Sequence, residues 1–208
     1  MEDVLAVYTR PPQADRPLVC LDEFAKQLLS ETREPVAAIP GHLAREDYEY
    51  VREGSVSGFM IALPHQGKRD VFVGPDGRRT AKDFAACLDH LANTLLPEAG
   101  KIILVMDNLN THKEASLYEA FPAEKARALC ERFEMHHTPK HGSWLNMAEI
   151  EIGLLARTCL DRRIGSVGEF EKEVAAYLGW KNAQAKPINW QFTNEKARVK
   201  LKSLYPTI

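Results

Sequence analysis

Three features of the 208-residue sequence predict an α/β domain with a mixed central sheet flanked by helices. Residues 101–106 form an apolar run without alternation, the pattern of a strand buried on both faces in a parallel arrangement. Residues 48–73 hold β-rich runs separated by turn residues, the pattern of an antiparallel meander. From residue 81 onward, stretches with apolar residues at helical spacing alternate with strands.

Taken in order, the chain starts irregularly around Pro11, Pro12 and Pro17. Leu18-Val19-Cys20-Leu21 then reads as a buried strand that delivers Asp22 at or near its end. Tyr48 to Arg52, Val56 to Leu63 and Asp70 to Val73 continue the meander, with Glu-Gly-Ser and His-Gln-Gly-Lys as turns and Pro75-Asp76-Gly77 closing it. Thr80 is a natural N-cap for a helix over 81–96, where Phe84, Leu88, Leu91 and Leu95 recur at helical spacing before Pro97 and Gly100 stop it. Lys101 to Met106 is the central strand and runs straight into Asp107. A helical stretch over 113–132 leads to a short strand, Phe133 to His136, and a loop through Ser143. Leu145, Ala148, Ile152, Leu155 and Cys159 mark the apolar face of the next helix, and Val167 to Leu178 and Asn194 to Leu204 add two more. The order is β-β-β-α-β-α-β-α with helices appended.

Composition narrows the functional classes. With 45% hydrophobic and 27% charged residues, the chain fits one compact domain. No apolar run approaches the roughly 20 residues that span a bilayer, and the amino terminus lacks a signal-peptide core, so the expectation is a cytoplasmic protein without a membrane partner. Cys20, Cys87, Cys130 and Cys159 are too widely spaced for a zinc motif and read as buried thiols. The net charge of −2 argues against a polyanion partner until it is divided. Residues 181–208 carry +5, through Lys181, Lys186, Lys196, Arg198, Lys200 and Lys202 against Glu195, which leaves −7 for residues 1–180. An acidic body with a basic tail can hold divalent metal in one part and a polyanion in the other; a solvated basic helix gives the same tail.

Three carboxylates stand out by position: Asp22 and Asp107 at strand ends and Glu149 at a helix start. Ends of adjacent strands and a helix packed beside them converge on one point. Converged carboxylates repel, and two Mg²⁺ or Mn²⁺ ions relieve that repulsion while activating an attacking oxygen and stabilising a leaving oxygen of a phosphodiester. Each residue also has a plain structural reading. Asp107-Asn108-Leu109-Asn110 fits a polar turn, Asn146-x-x-Glu149 fits an N-cap followed by an N3 carboxylate, and Asp22 fits a strand-end acid. Glu149 and Glu151 stand about 200° apart around a helix axis, so they cannot share one site.

The residues Val105-Met106-Asp107-Asn108-Leu109-Asn110-Thr111-His112 and Thr138-Pro139-Lys140-His141-Gly142-Ser143-Trp144-Leu145-Asn146-Met147-Ala148-Glu149 resemble the second and third acidic blocks of bacterial insertion-sequence transposases of the mariner-type superfamily. Val19-Cys20-Leu21-Asp22-Glu23 is similar to the first block, and the acids lie 85 and 42 residues apart. The resemblance covers about residues 4–205. It implies a ribonuclease H-like fold in which Asp22, Asp107 and Glu149 are the catalytic DDE ligands of two Mg²⁺ or Mn²⁺ ions. It further implies metal-dependent cleavage at transposon ends and attack of the freed 3′-hydroxyl on target DNA, in a complex expected to be a homodimer. Asn108, Asn110, His112, His141 and Ser143 are candidate second-layer or DNA-contacting residues, Trp144 packs against the Glu149 helix or touches DNA, and Lys196, Arg198, Lys200 and Lys202 are candidate phosphate contacts. A ribonuclease H-like nuclease without joining activity and a non-catalytic DNA-binding remnant are the alternatives. The expected division is an arm over 1–16, a catalytic core over 17–165 and C-terminal helices with the basic tail over 166–208. Mariner-type transposases place helix-turn-helix modules before the catalytic domain, and no recognition helix fits ahead of Asp22, so the chain resembles a catalytic half: a second reading frame joined by frameshifting to a separately encoded DNA-recognition half, a degraded remnant, or an excised domain.

Overall fold

The computed structural model describes residues 1–45, 47–74, 77–109 and 113–205. Five strands form one sheet: β1 (Leu18–Glu31), β2 (Tyr50–Leu63), β3 (Lys68–Phe72), β4 (Ile102–Met106) and β5 (Phe133–His137), in the order β3-β2-β1-β4-β5. The first three pair antiparallel as the predicted meander, and β4 joins β1 and β5 in parallel. Every residue of β4 is buried, as its uninterrupted apolar run requires.

Two strand expectations are corrected. β1 does not end near Asp22 but continues to Glu31, because beyond its short pairing with β4 it keeps a partner in β2 out to Glu31 opposite Tyr50. Glu53-Gly54-Ser55 is not a turn. It lies inside β2, where Leu28 faces Gly54 and Leu29 faces Arg52, leaving Glu53 as an extra residue. Gly54 adopts φ +115°, which accommodates this bulge without a Cβ clash.

The helices are α1 (Glu2–Tyr8), α2 (Ala81–His90), α3 (Glu114–Ala120), α4 (Ala123–Arg132), α5 (Met147–Thr158), α6 (Val167–Gln184) and α7 (Asn194–Lys200). α1 falls in the stretch expected to be irregular. Its seven residues are too few to hold a helix alone, and burial of Val4, Leu5, Val7 and Tyr8 stabilises it. Thr80 caps α2 through a reciprocal pair of bonds with Asp83, and the helix continues into a π-helical turn over Leu91–Leu95. The stretch expected as one helix over 113–132 is divided at Phe121, which is extended because Pro122 follows it.

Strand alternation creates two cores. Val19, Leu21, Phe59, Ile61, Leu104 and Met106 face α2, α3 and α4. Leu18, Cys20, Met60, Ala62, Ile103 and Val105 face α1, α5 and α6. Among the described residues, no helix is long and apolar enough to cross a membrane.

Candidate metal centre

The parallel pairing of β1 with β4 sets Leu18 opposite Ile103, Val19 opposite Leu104 and Cys20 opposite Val105. The pairing stops there, two residues before Asp22 on β1 and two before Asp107, which follows the last residue of β4. Side chains alternate across a sheet, so Asp22 shares a face with Leu18 and Cys20, as Ile103 and Val105 share one on β4. These four apolar residues all belong to the core beneath α1, α5 and α6. Asp22 therefore belongs to the face that α5 covers, and Asp22 and Asp107 are both half-buried. Asp22 Oδ1 accepts from the Glu23 backbone N–H at 2.8 Å.

α5 is fastened to this point by its N-cap. Asn146 is 1% exposed; its Nδ2 donates to the Leu21 carbonyl at 2.8 Å and to Asp22 Oδ2 at 3.3 Å. Its Oδ1 accepts from the Ala148 N–H at 3.1 Å, closing the helix start. The sequence marks Asn146 as a cap; its bond to Asp22 joins residues 124 positions apart and has no local signature. Just before it, the Leu145 carbonyl accepts from the Tyr8 hydroxyl at 2.7 Å, which ties α1 to the same turn. Tyr8 Oη also lies 3.6 Å from Cys20 Sγ, and burial pushes that thiol up to about 12. Cys20 is thus an inert part of the floor.

Glu149 occupies the first turn of α5 and is exposed, whereas Glu151 is buried. The two point apart, as helix geometry requires. Among the described residues, no group of three His, Cys, Asp or Glu side chains is gathered closely enough to hold a metal ion. The carboxylates of Asp22 and Asp107 are still a donor type that suits a hard cation: Mg²⁺ commonly binds through one or two carboxylates, completing its shell with water and substrate phosphate oxygens.

Asn108 follows Asp107 and is exposed; Asn110 and His112 lie outside the described residues. His141 and Ser143 are exposed in the loop leading to α5, with His141 in the left-handed region at φ 61°. Trp144 is 46% exposed and meets Phe192 edge-on at 5.6 Å, so it links the α5 approach to the segment before α7. In the basic tail, Arg198 bonds both Glu2 carboxylate oxygens, at 2.8 and 2.7 Å, and Lys196 Nζ donates to the Gln191 carbonyl at 2.6 Å. Lys200 and Lys202 are exposed.

A mixed sheet of three antiparallel and two parallel strands with helices on both faces is the ribonuclease H-like fold. The family model for DDE superfamily endonucleases matches residues 17–171, and the chain belongs to that family. Comparison with curated proteins finds no significant match. Among solved structures, the Mos1 transposase paired-end complex with left transposon end is similar at 15% identity and TM-score 0.57, over 86% of this chain and 52% of that one. The mariner Mos1 paired end complex with Mg is similar at 18% identity and TM-score 0.56, over 88% and 54%. At these identities the likeness is one of fold, and this chain spans about half the length of those proteins.

Proposed function

We propose that this chain is the catalytic domain of a DNA transposase, with its core over residues 17–165, cleaving phosphodiesters at transposon ends and joining the freed 3′-hydroxyl to target DNA. The observation that supports this reading best is the Asn146 side chain, which bonds Asp22 from the start of the helix that carries Glu149. Membership of the DDE superfamily endonucleases supports it independently.

In this reading Asp22 and Asp107 hold Mg²⁺ or Mn²⁺, and Glu149 completes the ligand set by swinging its exposed side chain inward from the first turn of α5. When bound, two such ions neutralise the carboxylates and polarise the scissile phosphate. The residues of this chain orient that centre: Asn146 holds Asp22, and Lys200 and Lys202 offer cations to the DNA backbone. The active assembly is a homodimer that grips two DNA ends in the cytoplasm. The Mos1 structures, described as paired-end and strand transfer complexes, support DNA as the partner.

The test is Mg²⁺- or Mn²⁺-dependent nicking and strand transfer on a terminal-repeat duplex. The expected result is activity that falls to background in Asp107→Ala. Activity surviving that change overturns the site, and cleavage without joining favours a hydrolytic nuclease.

A further inference from the structure

The two acids of α5 have opposite surroundings. Glu149 is exposed, whereas Glu151 is 3% exposed and pairs at 3.0 Å with Arg69, itself 4% exposed. Arg69 stands on β3 opposite Ala62 of β2, on the sheet face that α5 and α6 cover. Its backbone N–H donates to Asn182 Oδ1 at 2.9 Å, and its carbonyl accepts from Asn182 Nδ2 at 2.8 Å. The Asn182 amide thus takes the place of a further strand at the sheet edge. The Arg69 guanidinium donates through Nη1 to the Lys181 carbonyl at 3.3 Å and through Nη2 to Glu151. One arginine therefore joins the edge strand, the last turn of α6 and the first half of α5.

Stability is a poor account of this pair. Removing two charges from water is strongly unfavourable, and an apolar pair of similar volume commonly stabilises as well or better. Moreover, Arg69 Nε and Glu151 Oε2 are buried without a hydrogen bond among the described residues. What the pair supplies is direction. Apart from the Asn146 cap at its start, α5 packs through Met147, Ala148, Ile152 and Leu155, an apolar stripe that tolerates small rotations. A guanidinium bonded to both the Lys181 carbonyl and Glu151 Oε1 does not, because its planar fork fixes where Glu151 must lie. With Glu151 fixed, Glu149 is fixed about 200° away on the first turn, beside the Asn146 cap that bonds Asp22.

We propose that Arg69 is a positioning residue: held by the end of α6, it sets the rotation of α5 through Glu151 and so presents Glu149 to the metal centre. This rests on the assignment of Glu149 as a metal ligand.

The experiment uses the full chain and reads two quantities, the metal-free thermal midpoint and the affinity for Mn²⁺, followed by the electron paramagnetic resonance signal of the free ion. Arg69→Met/Glu151→Leu removes both charges together and leaves none buried alone. Arg69→Lys keeps the charge and loses the fork. The double variant is expected to keep a thermal midpoint near that of the unsubstituted chain and to bind Mn²⁺ about tenfold more weakly, close to Glu149→Gln, with Arg69→Lys in between. Unchanged Mn²⁺ affinity in the folded double variant overturns the proposal. If the double variant does not fold, Arg69→Lys decides: undiminished affinity, or a loss no larger than its lowered midpoint explains, overturns it. If Glu149→Gln leaves the Mn²⁺ affinity of the chain intact, the assignment of Glu149 fails first and takes this inference with it.

Discussion

Asn146 closes the start of α5 and holds Asp22 with one side chain, so its substitution separates from most others in its effect. Asn146→Ala removes the cap and leaves the buried Leu21 carbonyl without its donor. The expected loss is about 2 kcal/mol in urea unfolding, at the upper end for a cap because a buried acceptor is abandoned as well. Asn146→Asp keeps the cap acceptor but puts a second carboxylate beside Asp22, and is expected to lose more than Asn146→Ala in metal-free buffer and to regain part of it when Mn²⁺ is added. A titrating residue gives a second prediction. Glu134 on β5 is held down to about 2 from the usual 4.5, first by Arg10, with His136 and Arg16 adding to it. A depressed carboxyl contributes stability that is fully present above its unfolded value and is lost as pH falls through its folded value. The chain should therefore lose stability between about pH 4.5 and 2, and Glu134→Gln should flatten that limb in an acid unfolding series while lowering stability at pH 7.

Among the elements, the turn between β2 and β3 is the most tightly specified. Gly67 has φ +64°, and a Cβ placed there would meet the Lys186 backbone carbon at 2.4 Å. The segment after α6 passes directly over this turn and bonds it, Ile188 N–H donating to the Pro64 carbonyl at 2.9 Å. Gly67→Ala is expected to cost more than about 1 kcal/mol, since it combines a left-handed alanine with displaced backbone. Faster amide exchange at Ile188 than at the α2 core would locate the damage. Elements with this much local signature were legible: β4 from its unbroken apolar run, α2 from Thr80 and the Phe84, Leu88, Leu91 spacing, and α5 from its stripe. The outer half of β1 was not, because Lys26, Gln27 and Ser30 do not alternate as a half-buried strand should and only pairing with β2 extends it. α1 was equally hidden, since its burial depends on partners more than a hundred residues away, Leu145 among them. For α5, helix geometry stated that Glu149 and Glu151 must part. Which one goes inside was decided by Arg69, 82 residues upstream.

For the molecule as a whole, the division of charge matters more than its sum. Residues 1–180 carry −7 and residues 181–208 carry +5. Part of the tail's charge is spent internally, because Arg198 is bonded by Glu2 and docks α7 on α1. Lys200 and Lys202 remain exposed beyond that contact, and in the proposed function they are the cations that would displace counterions from DNA. The two groups should therefore respond differently to substitution. Lys200→Ala/Lys202→Ala is expected to reduce the slope of log affinity against log salt for non-specific duplex DNA by about 2, at about 0.9 per phosphate contact, with an unchanged thermal midpoint. Arg198→Ala is expected to lower the midpoint by undocking α7 and to change the salt slope by less than one contact's share, because its charge is already matched by Glu2. Equal salt slopes for the unsubstituted chain and the double lysine variant, measured by fluorescence anisotropy between 50 and 200 mM salt, would remove the tail from the DNA-binding surface and leave the acidic body to bind DNA through metal alone.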